Sequence, residues 1–165
     1  IIIKHFLDSL TVCRFLKGNE RLLDIGSGGG FPGLPLKLVM QGLNVTLLDS
    51  VQKKVFFLRH VIRALGLTGI KAEVCRVEDP AVIAKYKDSF DCVIARALSE
   101  LKEFISLGLP FVRTGGALLA IKGPAVASEL KKLSGMEGIG PPEAYEIALP
   151  FSKRITTVVL VRRVS

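Results

Sequence analysis

The sequence is poor in the residues that build disulfide frameworks, metal centres and membrane spans. Its 165 residues include two histidines and three cysteines, and no tryptophan. The cysteines, Cys13, Cys75 and Cys92, are odd in number, lie within apolar runs and lack the spacing of metal ligands. We therefore expect them to be reduced core residues, and we expect no metal site. No stretch approaches the ~20 uncharged apolar residues that a membrane-crossing helix needs.

The composition that remains is that of a globular protein with excess positive charge. With 49% hydrophobic residues, the chain is expected to form a single domain over residues 1–165. An apolar repeat of helical period predicts an N-terminal helix over residues 1–17, whose apolar start suggests a trimmed N-terminus rather than a signal peptide. The net charge of +8 favours a polyanionic partner.

The strongest local signal is a glycine-rich turn between two apolar runs. The sequence LLDIGSGGGFPG covers residues 22–33, and a second apolar run ends at Asp49. Glycines after a strand allow a ligand to approach the backbone closely. A carboxylate at the tip of the neighbouring strand can accept both hydroxyls of a ribose, although it could also cap the next helix. We expect a nucleoside cofactor here.

The glycine register distinguishes two cofactor classes. Dinucleotide sites use Gly-x-Gly-x-x-Gly directly after the strand, and counting from Gly26 the third position is the bulky Phe31. Asp24, Gly26, Gly28 and Gly30 instead follow the acid-x-Gly-x-Gly-x-Gly spacing of enzymes that use S-adenosylmethionine (SAM). The pattern favours SAM, with the acid orienting the loop, while a glycine turn without a ligand remains the alternative.

Alternating strand and helix patterns continue along the chain. Helices are expected over about 33–41, 51–65, 99–109 and from 124, and strands over 21–25, 44–48, 71–76, 90–95, 117–121, 144–149 and 155–161. The last two strands have no helical crossover between them, so the final strand should insert antiparallel. The predicted fold is α/β, a doubly wound, mostly parallel Rossmann-like sheet that ends in an antiparallel hairpin, as in class I SAM-dependent methyltransferases.

Ligands of open parallel sheets bind beyond the carboxyl ends of the strands. Val77 and Glu78 follow the third strand, where Val77 could pack on an adenine ring and Glu78 could read its amino group. Arg96 follows a wholly apolar strand and would face the reaction centre, unless it pairs with a nearby acid. Lys122 is a similar candidate after the fifth strand. His5 and Asp8 share a face of the first helix, as a site pair or as a surface contact.

Two absences narrow the reaction. No Asn/Asp-Pro-Pro-aromatic loop follows the fourth strand, which argues against methylation of an exocyclic amine. Cys75 and Cys92 are expected inside strands, which argues against a cysteine nucleophile for carbon-5 methylation of pyrimidines. Guanine N7 is a methylation target that these absences still allow, because it carries no proton and needs no general base. The enzyme would then catalyse the reaction by positioning the two reactants for an in-line methyl transfer.

These motifs together resemble the ribosomal RNA small-subunit methyltransferase G family, also called glucose-inhibited division protein B. The motifs that carry the resemblance occur in order along nearly the whole chain: KHFLDSL at 4–10, DIGSGGGFPG at 24–33, LLDS at 47–50 with KK at 53–54 and FL at 57–58, RVED at 76–79, ARA at 95–97 and KG at 122–123. Family members carry a longer N-terminal helical segment than this sequence shows.

The resemblance implies SAM-dependent N7 methylation of a guanine in 16S ribosomal RNA, in the bacterial cytoplasm. Separately, we expect the protein to be a monomer. The resemblance also implies that SAM contacts fall on Gly26, Gly28, Phe31, Asp49, Val77, Glu78 and Arg96. Arg96 is also expected to be the catalytic residue. The resemblance further suggests RNA-contacting roles for His5, Asp8, Lys122 and Arg154.

Basic residues near the carboxyl edge of the sheet are expected to hold RNA phosphates: Lys53, Lys54, Arg96, Lys122, Lys153 and Arg154. Three other functions stay open at this point: a methyltransferase acting on a small molecule, a nicotinamide-dependent oxidoreductase, and a non-catalytic RNA-binding module. The last would keep the basic surface without binding SAM.

Overall fold

Seven strands form one sheet in the order β3-β2-β1-β4-β5-β7-β6 in a computed structural model that describes residues 2–96 and 100–165. The strands are β1 (Arg21–Ile25), β2 (Asn44–Asp49), β3 (Ile70–Val74), β4 (Phe90–Arg96), β5 (Val112–Lys122), β6 (Glu143–Ala148) and β7 (Ile155–Arg162). Strands β1 to β5 pair in parallel, as the predicted helical crossovers require. The order reverses direction at β1, and β4 pairs with β1 on the side opposite β2.

Helical segments cover both faces of the sheet. They are α1 (Asp8–Leu10), α2 (Gly33–Val39), α3 (Gln52–Ala64), α4 (Pro80–Tyr86), α5 (Leu101–Gly108) and α6 (Ala127–Lys131). A π-helical turn (Ile2–Leu7) precedes α1 and a 3-10 helix (Thr11–Phe15) follows it. These two segments and α1 together form the N-terminal helical segment. None of the helices within the described ranges has the length and apolarity to cross a membrane.

The apolar side chains divide into two layers, one on each face of the sheet. Fully buried residues of β4 alternate between them: Val93 packs with α5, while Ile94 packs with the layer that holds α2 and α3. This alternation explains why β4 is apolar on both sides, as a central parallel strand must be. The sheet is therefore sandwiched between helices.

The terminal hairpin confirms the expected topology. Strand β7 lies antiparallel to both β5 and β6, and it inserts between them rather than adding at the edge. Because β7 runs in the opposite direction to β5, its first residues lie at the edge where the parallel strands end. Ile155 and Thr156 are thereby brought to the carboxyl edge of the sheet, next to Lys122 of β5.

Several local expectations need correction. Helix α4 was not predicted, although Asp79 caps it through Ala81 N at 2.8 Å and Pro80 occupies its first turn. The N-terminal segment is helical but consists of three different helical types. Strand β3 ends at Val74, so Cys75 lies beyond it rather than inside it. The expected start of a helix at Ser99, and Ala97 of the ARA motif, lie outside the described residues.

Candidate functional site

The loop after β1 is folded tightly against the end of β2. The backbone N–H of Ser27 donates to Leu48 O at 3.0 Å, and the N–H groups of Gly30 and Phe31 both donate to Ser27 O. Gly28 has a φ of +56°, a conformation that L side chains rarely adopt. The heavy atom nearest to a Cβ placed on Gly28 is 3.9 Å away, so the space in front of this backbone is open. The loop thus offers bare backbone to a ligand.

Asp49 holds this loop from the neighbouring strand. Its Oδ2 accepts the N–H of Gly28 and its Oδ1 accepts the N–H of Val51, both at 2.8 Å. Asp49 therefore fixes the glycine loop and the start of α3 at once. The helix-capping alternative for Asp49 is thus realised in part through Val51. Each carboxylate oxygen can accept a second hydrogen bond, so a ribose hydroxyl could still bind there.

Asp24 supports the loop from beneath. Its side chain is fully buried, and its Oδ2 accepts the N–H of Gly33 at 2.9 Å. Its Oδ1 has no hydrogen-bond partner among the described residues. Burial raises the pKa of this carboxyl from 3.8 to about 7, against the lowering effects of the Gly33 hydrogen bond and of Arg96. An unpaired buried carboxylate oxygen beside a bare loop is suited to a cationic ligand.

Gly33 makes this arrangement possible, since a Cβ there would lie 2.3 Å from a methyl of Leu47 and 2.8 Å from Asp24 Oδ2. Helix α2 can therefore start directly against β1 and β2 only with glycine at this position. The need for a small residue is packing, because Gly33 has no positive φ.

Arg96 connects the loop to the N-terminal helical segment. Its guanidinium lies 3.0 Å from His5 Nδ1, 3.7 Å from Asp8 Oδ2 and 5.2 Å from the centre of the Phe31 ring. The Phe31 ring also packs against His5, with ring centres 5.3 Å apart. Arg96 does pair with an acid, as the structural alternative supposed, but that acid is Asp8 of α1. Sequence positions 91 residues apart thus meet at one guanidinium.

A pocket of about 780 Å³ opens on the far side of Arg96 from Asp49. It lies over the carboxyl ends of β4 and β5 and the first residues of β7. Its lining includes four of the residues expected to contact substrate: His5, Asp8, Lys122 and Arg154. Its other lining residues are Arg96, Ile121, Gly123, Pro124, Leu149, Lys153, Ile155 and Thr156. The cluster of cations suits an anionic substrate.

Two residues that were not predicted contact side chains of this pocket. Lys122 Nζ lies 2.9 Å from Glu129 Oε2, which also accepts the N–H of Leu101 at 2.6 Å. The hydroxyl of Thr156 hydrogen-bonds to Asp8 Oδ1. Sequence reasoning missed both Glu129 and Thr156. Only the insertion of β7 beside β5 brings Thr156 to this edge.

Val77 and Glu78 lie on the other side of the loop, after β3. Val77 is half-buried and packs against the apolar layer that includes α4, whereas Glu78 is exposed in the turn before that helix. Neither lines the pocket. Cys75, two residues earlier, donates its backbone N–H to Asp49 O at 3.1 Å. Burial raises the pKa of its thiol, which disfavours the thiolate that a nucleophile requires.

Two neighbouring regions therefore form the candidate site. The first, between the glycine loop, Asp49 and residues 75–79, has the backbone access and acids expected of a nucleoside site. The second is the cationic pocket. Phe31 and Arg96 lie where they meet. The residues present fit SAM at the first region, through the open backbone at Gly28 and the unpaired oxygen of Asp24.

Known proteins resemble this chain in sequence and in fold. The profile of the family described as rRNA small subunit methyltransferase G matches residues 1–138. Ribosomal RNA small subunit methyltransferase G of Geotalea uraniireducens (strain Rf4) is 39% identical over 168 residues, which covers 100% of this chain and 76% of that protein.

Two solved structures share the fold at lower identity. Protein Atu636 of Agrobacterium tumefaciens, a predicted O-methyltransferase, is 20% identical with a TM-score of 0.75, covering 97% of this chain and 80% of its own. A variant of MtNAS in complex with S-adenosylmethionine is 23% identical with a TM-score of 0.64, covering 96% and 60%. The sheet described above is thus the fold of class I methyltransferases.

Proposed function

The chain belongs to the rRNA small subunit methyltransferase G family, and from this membership we propose that it methylates N7 of a guanine in 16S ribosomal RNA. Its cofactor is S-adenosylmethionine, as both the family and the fold require. The observation that carries the proposal is the contact of Arg96 with Phe31 at the junction of the loop and the cationic pocket. A methyl donor and an RNA base would meet at that junction.

The cofactor supplies an activated methyl group on a sulfonium, and the protein supplies position. We assign the cofactor contacts to Gly26 and Gly28 of the loop, to Asp49 for the ribose, and to Val77 and Glu78 for the adenine. The open backbone at Gly28 and the strand-end location of the other residues support this assignment. Phe31 would cover the loop side of the reaction centre.

Guanine N7 has a free lone pair, so no residue has to remove a proton before transfer. We therefore assign Arg96 an orienting and electrostatic role at the reacting base, held in place by His5 and Asp8. Its guanidinium could donate to guanine O6, next to N7. Lys122 and Arg154 would hold the phosphates that flank the reacting base. SAM carries no hydride, so a SAM cofactor argues against the alternative function of a nicotinamide-dependent oxidoreductase.

The test is transfer of tritiated methyl from SAM to 16S rRNA, offered both naked and as the small ribosomal subunit, followed by digestion to nucleosides. We expect the label in 7-methylguanosine. Label in another nucleoside would refute the N7 assignment, and no label on either RNA substrate, despite SAM binding by calorimetry, would refute RNA methylation.

We expect a monomer on gel filtration, and fractionation should place it in the bacterial cytoplasm with its substrate.

RNA binding gives a second, independent test. If Lys122, Lys153 and Arg154 contact phosphates, the association constant should fall by at least about tenfold between 50 and 200 mM salt. An affinity that does not change with salt would remove the phosphate contacts from the proposal. The double variant Lys153→Gln/Arg154→Gln should show a shallower salt dependence than the wild type.

A further inference from the structure

Helix α3 carries an outer surface that is not part of the core and from which only Lys53 and Lys54 were expected to contact RNA. Its inward residues Val55 and Leu58 are fully buried. Its 13 residues include no acid, and apart from the terminal Gln52 and Ala64 the exposed positions are basic or aromatic. We call these positions the α3 surface: Lys53, Lys54, Phe56, Phe57, Arg59, His60 and Arg63.

The two lysines at the start of this surface do not stabilise the helix. Lys53 and Lys54 occupy the first turn, where the macrodipole favours acids and disfavours cations. Within residues 2–96 and 100–165, no ion pair involves Lys53, Lys54 or Arg63. A pair of uncompensated lysines at a helix N-terminus is unfavourable for folding. An external anion would compensate for it.

The aromatic residues are exposed among these cations. Phe57 is 54% exposed and Phe56 is 52% exposed, so neither ring is needed to complete the core. On a helix, Phe57 has Lys53 one turn before it and His60 one turn after it. An exposed ring next to lysine side chains is an arrangement by which proteins hold single-stranded nucleic acid, with a base stacked on the ring and the phosphates on the cations.

The α3 surface begins beside the candidate site. Helix α3 begins at Gln52, three residues after Asp49. Its buried Leu58 packs against the glycine loop, since a Cβ placed on Gly30 would lie 2.9 Å from a methyl of Leu58. At the far end of the helix, Arg59, Arg63 and Lys71 line a depression of about 290 Å³. The helix is about 20 Å long, a distance that a few nucleotides of single strand can follow.

We propose that the α3 surface binds a single-stranded segment of the substrate RNA, with one base stacked on Phe57 and its phosphates on Lys53 and Lys54. The inference rests on the proposed function, and adds a second contact region on the side of the cofactor loop away from the cationic pocket. A second copy of this chain is a poor occupant, because two such surfaces would place cations against cations.

The test measures the affinity of the full chain for 16S rRNA by filter binding at several salt concentrations. Phe57→Leu should weaken binding about tenfold, whereas Phe57→Tyr, which keeps a ring, should stay close to the wild type. The double variant Lys53→Gln/Lys54→Gln should lower the slope of log affinity against log salt by about 1.4. SAM affinity, measured in parallel, should not change in any of these variants.

Residues for matched control variants lie near the edge of the sheet where the parallel strands begin, away from the candidate site. Val39→Ala alters an apolar side chain that is 56% exposed, and Lys17→Gln/Lys87→Gln removes two exposed lysines. Neither should affect RNA affinity beyond the small general effect of net charge. If Phe57→Leu binds 16S rRNA as tightly as Val39→Ala does, the inference is wrong.

Two further outcomes separate this inference from its premise. If the α3 variants bind the small ribosomal subunit more weakly than the wild type but bind naked 16S rRNA equally well, the α3 surface contacts a ribosomal protein and the inference is overturned. A wild-type protein that methylates 16S rRNA, with α3 variants that bind like wild type, would leave the proposed function standing and this inference refuted. A wild-type protein that methylates no RNA would refute the proposed function itself.

Discussion

The ionisation of Asp24 is expected to cost the cofactor-free protein stability near neutral pH. This carboxyl is fully buried, and its pKa rises from 3.8 to about 7 because burial disfavours the charged form. Between these two values the folded state binds more protons than the unfolded state does. The free energy of unfolding should therefore be highest below pH 3.8, as far as this group is concerned, and should fall as the pH rises to about 7.

The size of the effect follows from the shift. A change of about three pKa units corresponds to about 4 kcal/mol between the two ends of this range. Asp24→Asn removes the titration while keeping an oxygen that can accept the Gly33 N–H. Its amide N–H₂ would lie where Oδ1 now has no partner, which adds a cost of about 1–3 kcal/mol that does not vary with pH.

The assay is urea denaturation of the cofactor-free wild type and Asp24→Asn at half-unit steps from pH 4 to 8. The difference between their free energies of unfolding should change in favour of Asp24→Asn as the pH rises, by up to about 4 kcal/mol, and then level off above pH 7. A difference that stays constant across the range would refute the assignment of a raised pKa to Asp24. A difference that changes in favour of the wild type would mean that the Gly33 hydrogen bond and Arg96 outweigh burial.

Three other substitutions probe the site. Asp49→Asn should weaken SAM binding, measured by calorimetry, about tenfold. The amide replaces one of the two acceptor oxygens, which hold the loop at Gly28 and would bind the ribose. Unchanged affinity would remove Asp49 from the cofactor site. Arg96→Ala should lower kcat/KM for methyl transfer at least about tenfold while Tm falls by only a few degrees, and full activity would exclude Arg96 from the site. Gly33→Ala should destabilise the fold by about 1–3 kcal/mol in urea denaturation, since its Cβ would overlap Leu47. A neutral effect would show that Leu47 or α2 can shift to make room.

Most strands were predictable because they are short apolar runs bounded by turn residues, but β5 begins at Val112, five residues before the predicted start, and includes the Thr114-Gly115-Gly116 segment predicted as a turn. Strand β1 has the predicted bounds, and β4 differs by a single residue. The antiparallel insertion of β7 followed from the lack of a helix before it. Helix α4 was not predicted, although the Asp79-Pro80 pair is a standard start signal.

The candidate site was only partly predictable. Its residues at strand ends could be identified one at a time, because parallel topology brings all carboxyl ends to one edge. Their partners could not. The hydrogen bond between Thr156 and Asp8 joins residues 148 positions apart, and no local pattern encodes it. Asp49 illustrates the same limit, since its contacts with the backbone of Gly28 and Val51 depend on how the loop folds.

The glycine loop is held on both sides, and its contacts connect the cofactor region to the cationic pocket. Asp49 holds Gly28 from the β2 side, while Phe31, at the other end of the loop, packs on His5, Phe6 and the Arg96 guanidinium. Arg96 and His5 also line the cationic pocket. A displacement of the pocket side chains must therefore disturb Phe31, and through it the loop. Because the contacts are shared, cofactor binding at the loop and substrate binding in the pocket should each favour the same arrangement of the N-terminal helical segment.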